Sequence, residues 1–168
     1  MAIEVVRIDD RLIHGQIVQG WLKVIQVDKI LLVSDEVASD KMQQILLSMA
    51  MPSTVKLVIK NIKDASYELL NDVYDNDKLM VLFANPQDIV KMFENGVKFT
   101  SINVGGMHFS HGKTQILKNL SVNEQDVVSF MKLIENGVEL EARILPSDER
   151  YNIAEDIRNQ AKNFKIIG

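Results

Sequence analysis

Short runs of β-branched and aliphatic residues recur along this chain at positions 3–8, 29–34, 55–60, 79–83, 101–104 and 139–144, and stretches with helical spacing of apolar residues separate them. Strands alternating with helices leave few architectures open. The pattern predicts an α/β fold, an open, mostly parallel twisted sheet with helices on both faces and right-handed crossovers. At 168 residues the chain is read as one domain spanning 1–168. A chain of this length can bury about 70% of the surface its unfolded form exposes.

Local signals place several helices. Ser39 is read as the cap of a helix running through Leu47 until Pro52 forbids its continuation. Asn85-Pro86-Gln87-Asp88 combines a side-chain cap, a proline at the first helical position and an early carboxylate, and Asn123-Glu124-Gln125-Asp126 starts a helix in a similar way. Glu94-Asn95-Gly96 and Glu135-Asn136-Gly137 each end a helix on a glycine able to turn left-handed. The last helix is predicted over 153–164, with Ala154, Ile157, Ala161 and Phe164 inward. Trp21, Met42, Met49, Met92 and Met131 are assigned to the core. Thr114-Gln115-Ile116-Leu117 reads either as a short extra strand or as an ordered loop.

In a parallel sheet all strand carboxyl ends share one edge, the usual place for ligands. That edge collects Asp9 to His14, Ser34-Asp35-Glu36, Asn85-Pro86, Gly105-Gly106-Met107-His108 and Pro146-Ser147-Asp148. Composition narrows the chemistry. With no cysteine, thiol catalysis, disulfides and thiolate metal sites are excluded. A net charge of −4 with both signs interspersed argues against a general nucleic-acid binder, so any phosphate contact is local. No apolar stretch approaches the roughly 20 residues of a membrane span, and the N-terminus lacks the basic start and apolar core of a signal peptide. A cytoplasmic location is the expectation.

Within the first edge loop, Ile8-Asp9-Asp10-Arg11-Leu12-Ile13-His14-Gly15 sets a histidine and an arginine between a strand and a helix. A neutral imidazole is nucleophilic at physiological pH, and its N–P bond is reactive enough to hand a phosphoryl group onward. Arginine keeps its charge and grips two phosphate oxygens. Asp9 and Asp10 would repel phosphate directly; they could orient Arg11, bond loop N–H groups or fix the tautomer of His14. Gly15 lets backbone approach the anion, and the helix start offers N–H groups. The same spacing also fits an ordinary Arg11–Asp10 surface pair with His14 packed at a helix start. His14, His108 and His111 could supply three metal ligands, although nothing else in the chain supports that set. Gly105-Gly106 lacks the full pattern of a phosphate loop and is read as a tight turn.

The segment Val6-Arg7-Ile8-Asp9-Asp10-Arg11-Leu12-Ile13-His14-Gly15-Gln16-Ile17 resembles the active-site signature of the enzyme IIB component of the mannose/fructose/sorbose family of the bacterial sugar phosphotransferase system. Val33-Ser34-Asp35-Glu36-Val37-Ala38, Leu82-Phe83-Ala84-Asn85-Pro86, Ile102-Asn103-Val104-Gly105-Gly106-Met107 and Gly112-Lys113-Thr114-Gln115 are similar to family segments in the same order. The resemblance implies a phosphotransferase without metal or organic cofactor. His14 would take a phosphoryl group on Nδ1 from the IIA component and pass it to a sugar bound by the membrane IIC and IID components, with Arg11 contacting the group. With Met1 just before the first strand, the free-standing form is expected, associated peripherally with the permease. A carrier serving two partners needs His14 on an exposed loop, with Leu12 and Ile13 either an outward apolar centre or buried beneath it.

Two other readings compete. Asp9-Asp10 after the first strand resembles the magnesium-holding cluster of receiver-like regulatory modules phosphorylated on aspartate. Such a module wants an acceptor aspartate ending the third strand and a lysine after the fifth, where this chain has Ile59-Lys60-Asn61-Ile62 and Val104-Gly105-Gly106. A nucleotide-binding hydrolase lacks a phosphate loop here.

Overall fold

The computed structural model describes residues 2–166, so the expectation attached to Met1 lies outside the described residues. Strand β1 (Ala2–Asp9) leads through the candidate loop into a π-helical segment (Gln16–Trp21) that continues as α1 (Leu22–Val24). There follow β2 (Lys29–Val33), α2 (Asp35–Ala38), α3 (Lys41–Met49), β3 (Lys56–Lys60), α4 (Ile62–Leu70), β4 (Lys78–Phe83) and α5 (Pro86–Glu94). The second half comprises β5 (Ser101–Gly106), the strands β6 (Thr114–Leu117) and β7 (Leu120–Val122), α6 (Glu124–Glu135), β8 (Glu139–Ala142), β9 (Tyr151–Asn152) and α7 (Ala154–Asn163).

The main sheet has the order β3-β2-β4-β1-β5-β8-β9, parallel except where β9 runs antiparallel to β8 at one edge. Its strands are covered on both faces, as expected for a parallel sheet. Period-two alternation divides the core accordingly. Leu31, Val33, Leu79, Val81 and Phe83 pack with residues of α4, α5, α6 and α7, while Ile30, Leu32, Met80 and Leu82 pack with Ile17, Trp21, Val37 and Leu47. Thr114 to Leu117 resolves as a strand, paired antiparallel with β7, and Met107 bridges to Leu120 beyond the end of β5.

The caps at Asn85 and Asn123 form as the sequence predicts: Asn85 Oδ1 accepts from Asp88 N–H, and Asn123 and Asp126 make a reciprocal capping box. The cap before α3 is a correction. Asp40 caps α3 by accepting from Gln43 N–H, and Ser39 instead closes the short α2. A second correction concerns α3's sidedness. Met42 and Met49, read as core, are 66% and 77% exposed, together with Ile45 and Leu46, and only Leu47 of this helix is buried. The strand expected over 139–144 stops at Ala142, because the carbonyls of Arg143 and Ile144 turn to receive the guanidinium of Arg7.

Candidate functional site

Along β1 the alternation that sends Val6 and Ile8 into one core places Val5, Arg7 and Asp9 on the other face, under the π-helical segment. There Arg7 and Asp9 are both fully buried. Asp9, the last residue of the strand, is the hub of the site. Its Oδ1 accepts from the backbone N–H and Nε of Arg11 at 3.2 and 3.1 Å. Its Oδ2 accepts from Arg7 Nη2 at 3.0 Å and Arg11 Nη2 at 3.2 Å, and lies 2.9 Å from His14 Nε2. A carboxylate can only accept, so this contact puts the proton of a neutral His14 on Nε2. At the other ring nitrogen the Gln16 N–H donates to Nδ1 at 3.3 Å, a long bond that takes up the lone pair of the neutral ring. Burial would raise the Asp9 pKa; hydrogen bonds from His14 and Arg11 and the charge of Arg7 overcome it and hold the carboxyl at about 2, below its ordinary 3.8.

The loop backbone explains how residues three apart meet on one carboxylate. Leu12 adopts a left-handed φ of 60°, its N–H donating to the Asp9 carbonyl, which folds Arg11 back over β1. Leu12 and Ile13 are both buried, so neither provides an outward apolar centre. After His14 the helix opens in π geometry, with Leu22 N–H donating to the Ile17 carbonyl. Trp21 fixes that segment: its indole N–H donates to the Ile144 carbonyl at 2.8 Å, and the guanidinium carbons of Arg7 and Arg143 lie 4.8 and 5.1 Å from its ring centroid.

His14 retains 16% side-chain exposure and Arg11 45%, so the imidazole is reachable from solvent beside a guanidinium with free donors. Gln16 Oε1 accepts from Arg11 Nη2 at 2.6 Å and steadies the outer edge of that group. A cleft of about 260 Å³ opens next to Arg11 and Gln16, bounded by Gly106, Met107, His108 and Lys118. Asp10 belongs to a different contact: its Oδ2 accepts from the His108 backbone N–H at 2.8 Å and meets His108 Nδ1. The ordinary Arg11–Asp10 pair is therefore replaced by Arg11–Asp9. Gly15 has φ −54°, and a Cβ at this position would meet nothing within 4 Å, so open space rather than close packing surrounds it. Among the described residues no group of His and carboxylate side chains is arranged to hold a metal ion.

Gly105 and Gly106 lie inside β5 and not in a turn, which corrects the reading of that pair. The β1–β5 register slips between Ile8, opposite Val104, and Asp9, opposite Gly106, leaving Gly105 as the extra residue of a bulge. A Cβ on Gly105 would stand 1.9 Å from Arg7 Cζ. Arg7, Asn103, Glu141 and Arg143 were not singled out by the sequence; the available signal was a charged residue sharing the Val5–Asp9 face of an otherwise apolar strand.

The family model described as PTS system sorbose subfamily IIB component matches residues 3–165. The chain belongs to this family of phosphotransferase-system IIB components. It is 42% identical over 162 residues to the fructose-specific EIIB component of Bacillus subtilis, covering 96% of this chain and 99% of that protein. It is also 43% identical over 150 residues to the mannose-specific EIIAB component of Escherichia coli K12, spanning 89% of this chain and 46% of that longer protein. The structure of the IIBSor domain of the sorbose permease from Klebsiella pneumoniae superposes with a TM-score of 0.89 at 36% identity, covering 96% of this chain and 99% of that one. The IIB component thus serves a sugar phosphotransferase role as a transferase. No helix among the described residues is long and apolar enough to cross a membrane.

Proposed function

We propose that this IIB component is a histidine phosphocarrier, with His14 Nδ1 as the atom that bears the phosphoryl group. The observation that carries the reading is the shared carboxylate: Asp9 engages His14 through Nε2 and Arg11 through Nε and Nη2, so Nδ1 is the ring nitrogen free of a carboxylate, and an incoming phosphoryl group has only the long Gln16 N–H contact to displace there. In the accepting step the Nδ1 lone pair attacks phosphorus of a phosphohistidine on the IIA component. The donor N–P bond breaks, and its electron pair returns to the donor imidazole. Arg11 offsets charge on the moving PO₃, and Asp9 accepts the Nε2–H bond and balances the positive charge the ring gains. In the delivering step a sugar hydroxyl, presented by the membrane IIC and IID components, attacks the same phosphorus, its proton passes to solvent or to a base of those components, and the electron pair of the N–P bond returns to Nδ1. Every helper lies within the first loop or directly beneath it, leaving the solvent side free for two successive macromolecules. A cytoplasmic protein docking at the permease fits this cycle.

Incubation with the phosphorylated upstream relay should give an acid-labile, base-stable label on His14, absent in His14→Ala. Arg11→Lys should label about tenfold more slowly, since a point charge replaces the bidentate fork. A magnesium-dependent, base-labile acyl phosphate would overturn the reading in favour of an aspartate-phosphorylated module.

A further inference from the structure

Arg7 has no exposed surface and lies wholly inside the molecule, 7 residues before the proposed phosphoryl carrier. Burial pulls the Arg7 pKa down, against the attraction of Asp9 that raises it, and its Nε has no hydrogen-bond partner. An apolar side chain of similar length would fill the same space without desolvating a charge, so the guanidinium is not explained by packing. Its contacts show what it arranges. Nη1 donates to Asn103 Oδ1 and, at 3.0 Å, to the Arg143 carbonyl; Nη2 donates to Asp9 Oδ2 at 3.0 Å and to the Ile144 carbonyl at 3.1 Å. Asn103 is held in turn by Glu141, which Arg143 clamps through Nε and Nη2. Gly105 is vacated of any side chain at the point where the guanidinium passes.

Three cationic or protonated partners converge on the Asp9 carboxylate, and they differ in how firmly they are placed. The Arg11 side chain is 45% exposed and His14 16%, whereas Arg7 is 0% exposed and tied at both terminal nitrogens. Among the three side chains Arg7 is the one whose own position is fixed independently of the loop, and with the Arg11 backbone N–H on Oδ1 it holds the carboxylate's orientation. We propose that Arg7 is a positioning residue for phosphoryl transfer, anchoring the Asp9 carboxylate so that it presents Oδ2 to His14 Nε2 and Oδ1 to Arg11. The inference rests on His14 being the carrier. The charged groups facing Arg7 are Asp9 from β1, Arg11 from the loop, and Glu141 and Arg143 from β8 and its exit; no titratable group comes from the π-helical segment, which contributes Trp21.

The charge of Arg7 has a kinetic signature distinct from scaffolding. Asp9 is fully buried, so a residue that only orients it should change turnover and leave the encounter with the donor protein unaltered. The test measures kcat and KM for His14 labelling by the phosphorylated IIA component at pH 7 for wild type, Arg7→Met and Arg7→Lys, all as the full chain, with folding checked by thermal melting. Arg7→Met should lower kcat at least tenfold while KM stays within about twofold. Arg7→Lys should remain severalfold slow in kcat, because one ammonium cannot span Asp9, Asn103 and two carbonyls. A folded Arg7→Met with the wild-type kcat, or with its loss carried by KM, overturns the proposal. If Arg7→Met fails to fold, Arg7→Lys decides: a wild-type kcat, or a loss carried by KM, overturns the proposal, and a lowered kcat at unchanged KM supports it. Absence of label on wild-type His14 would instead defeat the phosphocarrier reading itself.

Discussion

Replacing Asp9 by asparagine keeps the shape of the side chain and removes the charge on which Arg7, Arg11 and His14 converge. The folded-state carboxyl sits at about 2 against an ordinary 3.8. That gap of nearly two pKa units corresponds to about 2.5 kcal/mol of stability at pH 7, at 1.36 kcal/mol per unit. Because the folded value is the lower one, the contribution is present above the unfolded pKa and is lost as pH falls through the folded one. By pH 3 about half of it, about 1.3 kcal/mol, should remain. Asp9→Asn should therefore be less stable than wild type by about 2.5 kcal/mol or more at neutral pH, the excess reflecting a buried Arg7 left facing a neutral amide. For a domain of this size the melting temperature should fall by about 5–10 °C. Urea unfolding at pH 7 and pH 3, followed by circular dichroism, separates this from a packing defect. The gap between variant and wild type should narrow by about 1 kcal/mol at the lower pH. A gap of equal size at both pH values, or an Asp9→Asn variant as stable as wild type at pH 7, would refute the charge-based account of the site.

Gly105→Ala should cost about 2–3 kcal/mol, since its Cβ would fall 1.9 Å from Arg7 Cζ and backbone on one side of the guanidinium cannot yield. Gly106→Ala, with 3.3 Å to Asp9 Oδ1 and 3.4 Å to Arg11 Nη2, should cost under about 1 kcal/mol but slow labelling; equal melting temperatures for the two variants would contradict the bulge geometry. Leu12→Gly removes left-handed strain of about 1–2 kcal/mol but loses a buried side chain worth about 2–4 kcal/mol, so a net loss is expected and a more stable variant would refute it.

The alternation of strands and helices was legible because each strand of a parallel sheet is a short apolar run and the crossovers carry side-chain caps such as Asn85 and Asn123. The fold class and the coming together of Arg11 and His14 at a strand end followed from that rhythm and from the first motif. What escaped was sidedness. In α3 the apolar residues occupy more than one face, so periodicity alone does not choose Leu47 over Met42, Ile45, Leu46 and Met49 as the buried member. Ser39 and Asp40 are both good caps one residue apart, and the four-residue α2 that ends at Ala38 has too little length to leave a signature. Arg7 was hidden for a related reason. Charge within a strand usually marks a solvent face, but β1 is covered on both sides, and the partners that make its burial tolerable come from residues 103 and 143–144.

The left-handed kink at Leu12 has a consequence for turnover. With that leucine pegged into the interior, the reactive segment is already shaped before a donor or an acceptor arrives, and the free energy of shaping it is met once, during folding. For the phosphocarrier proposed above, each encounter would then have only to align two surfaces, and unlike visitors would meet the same pose.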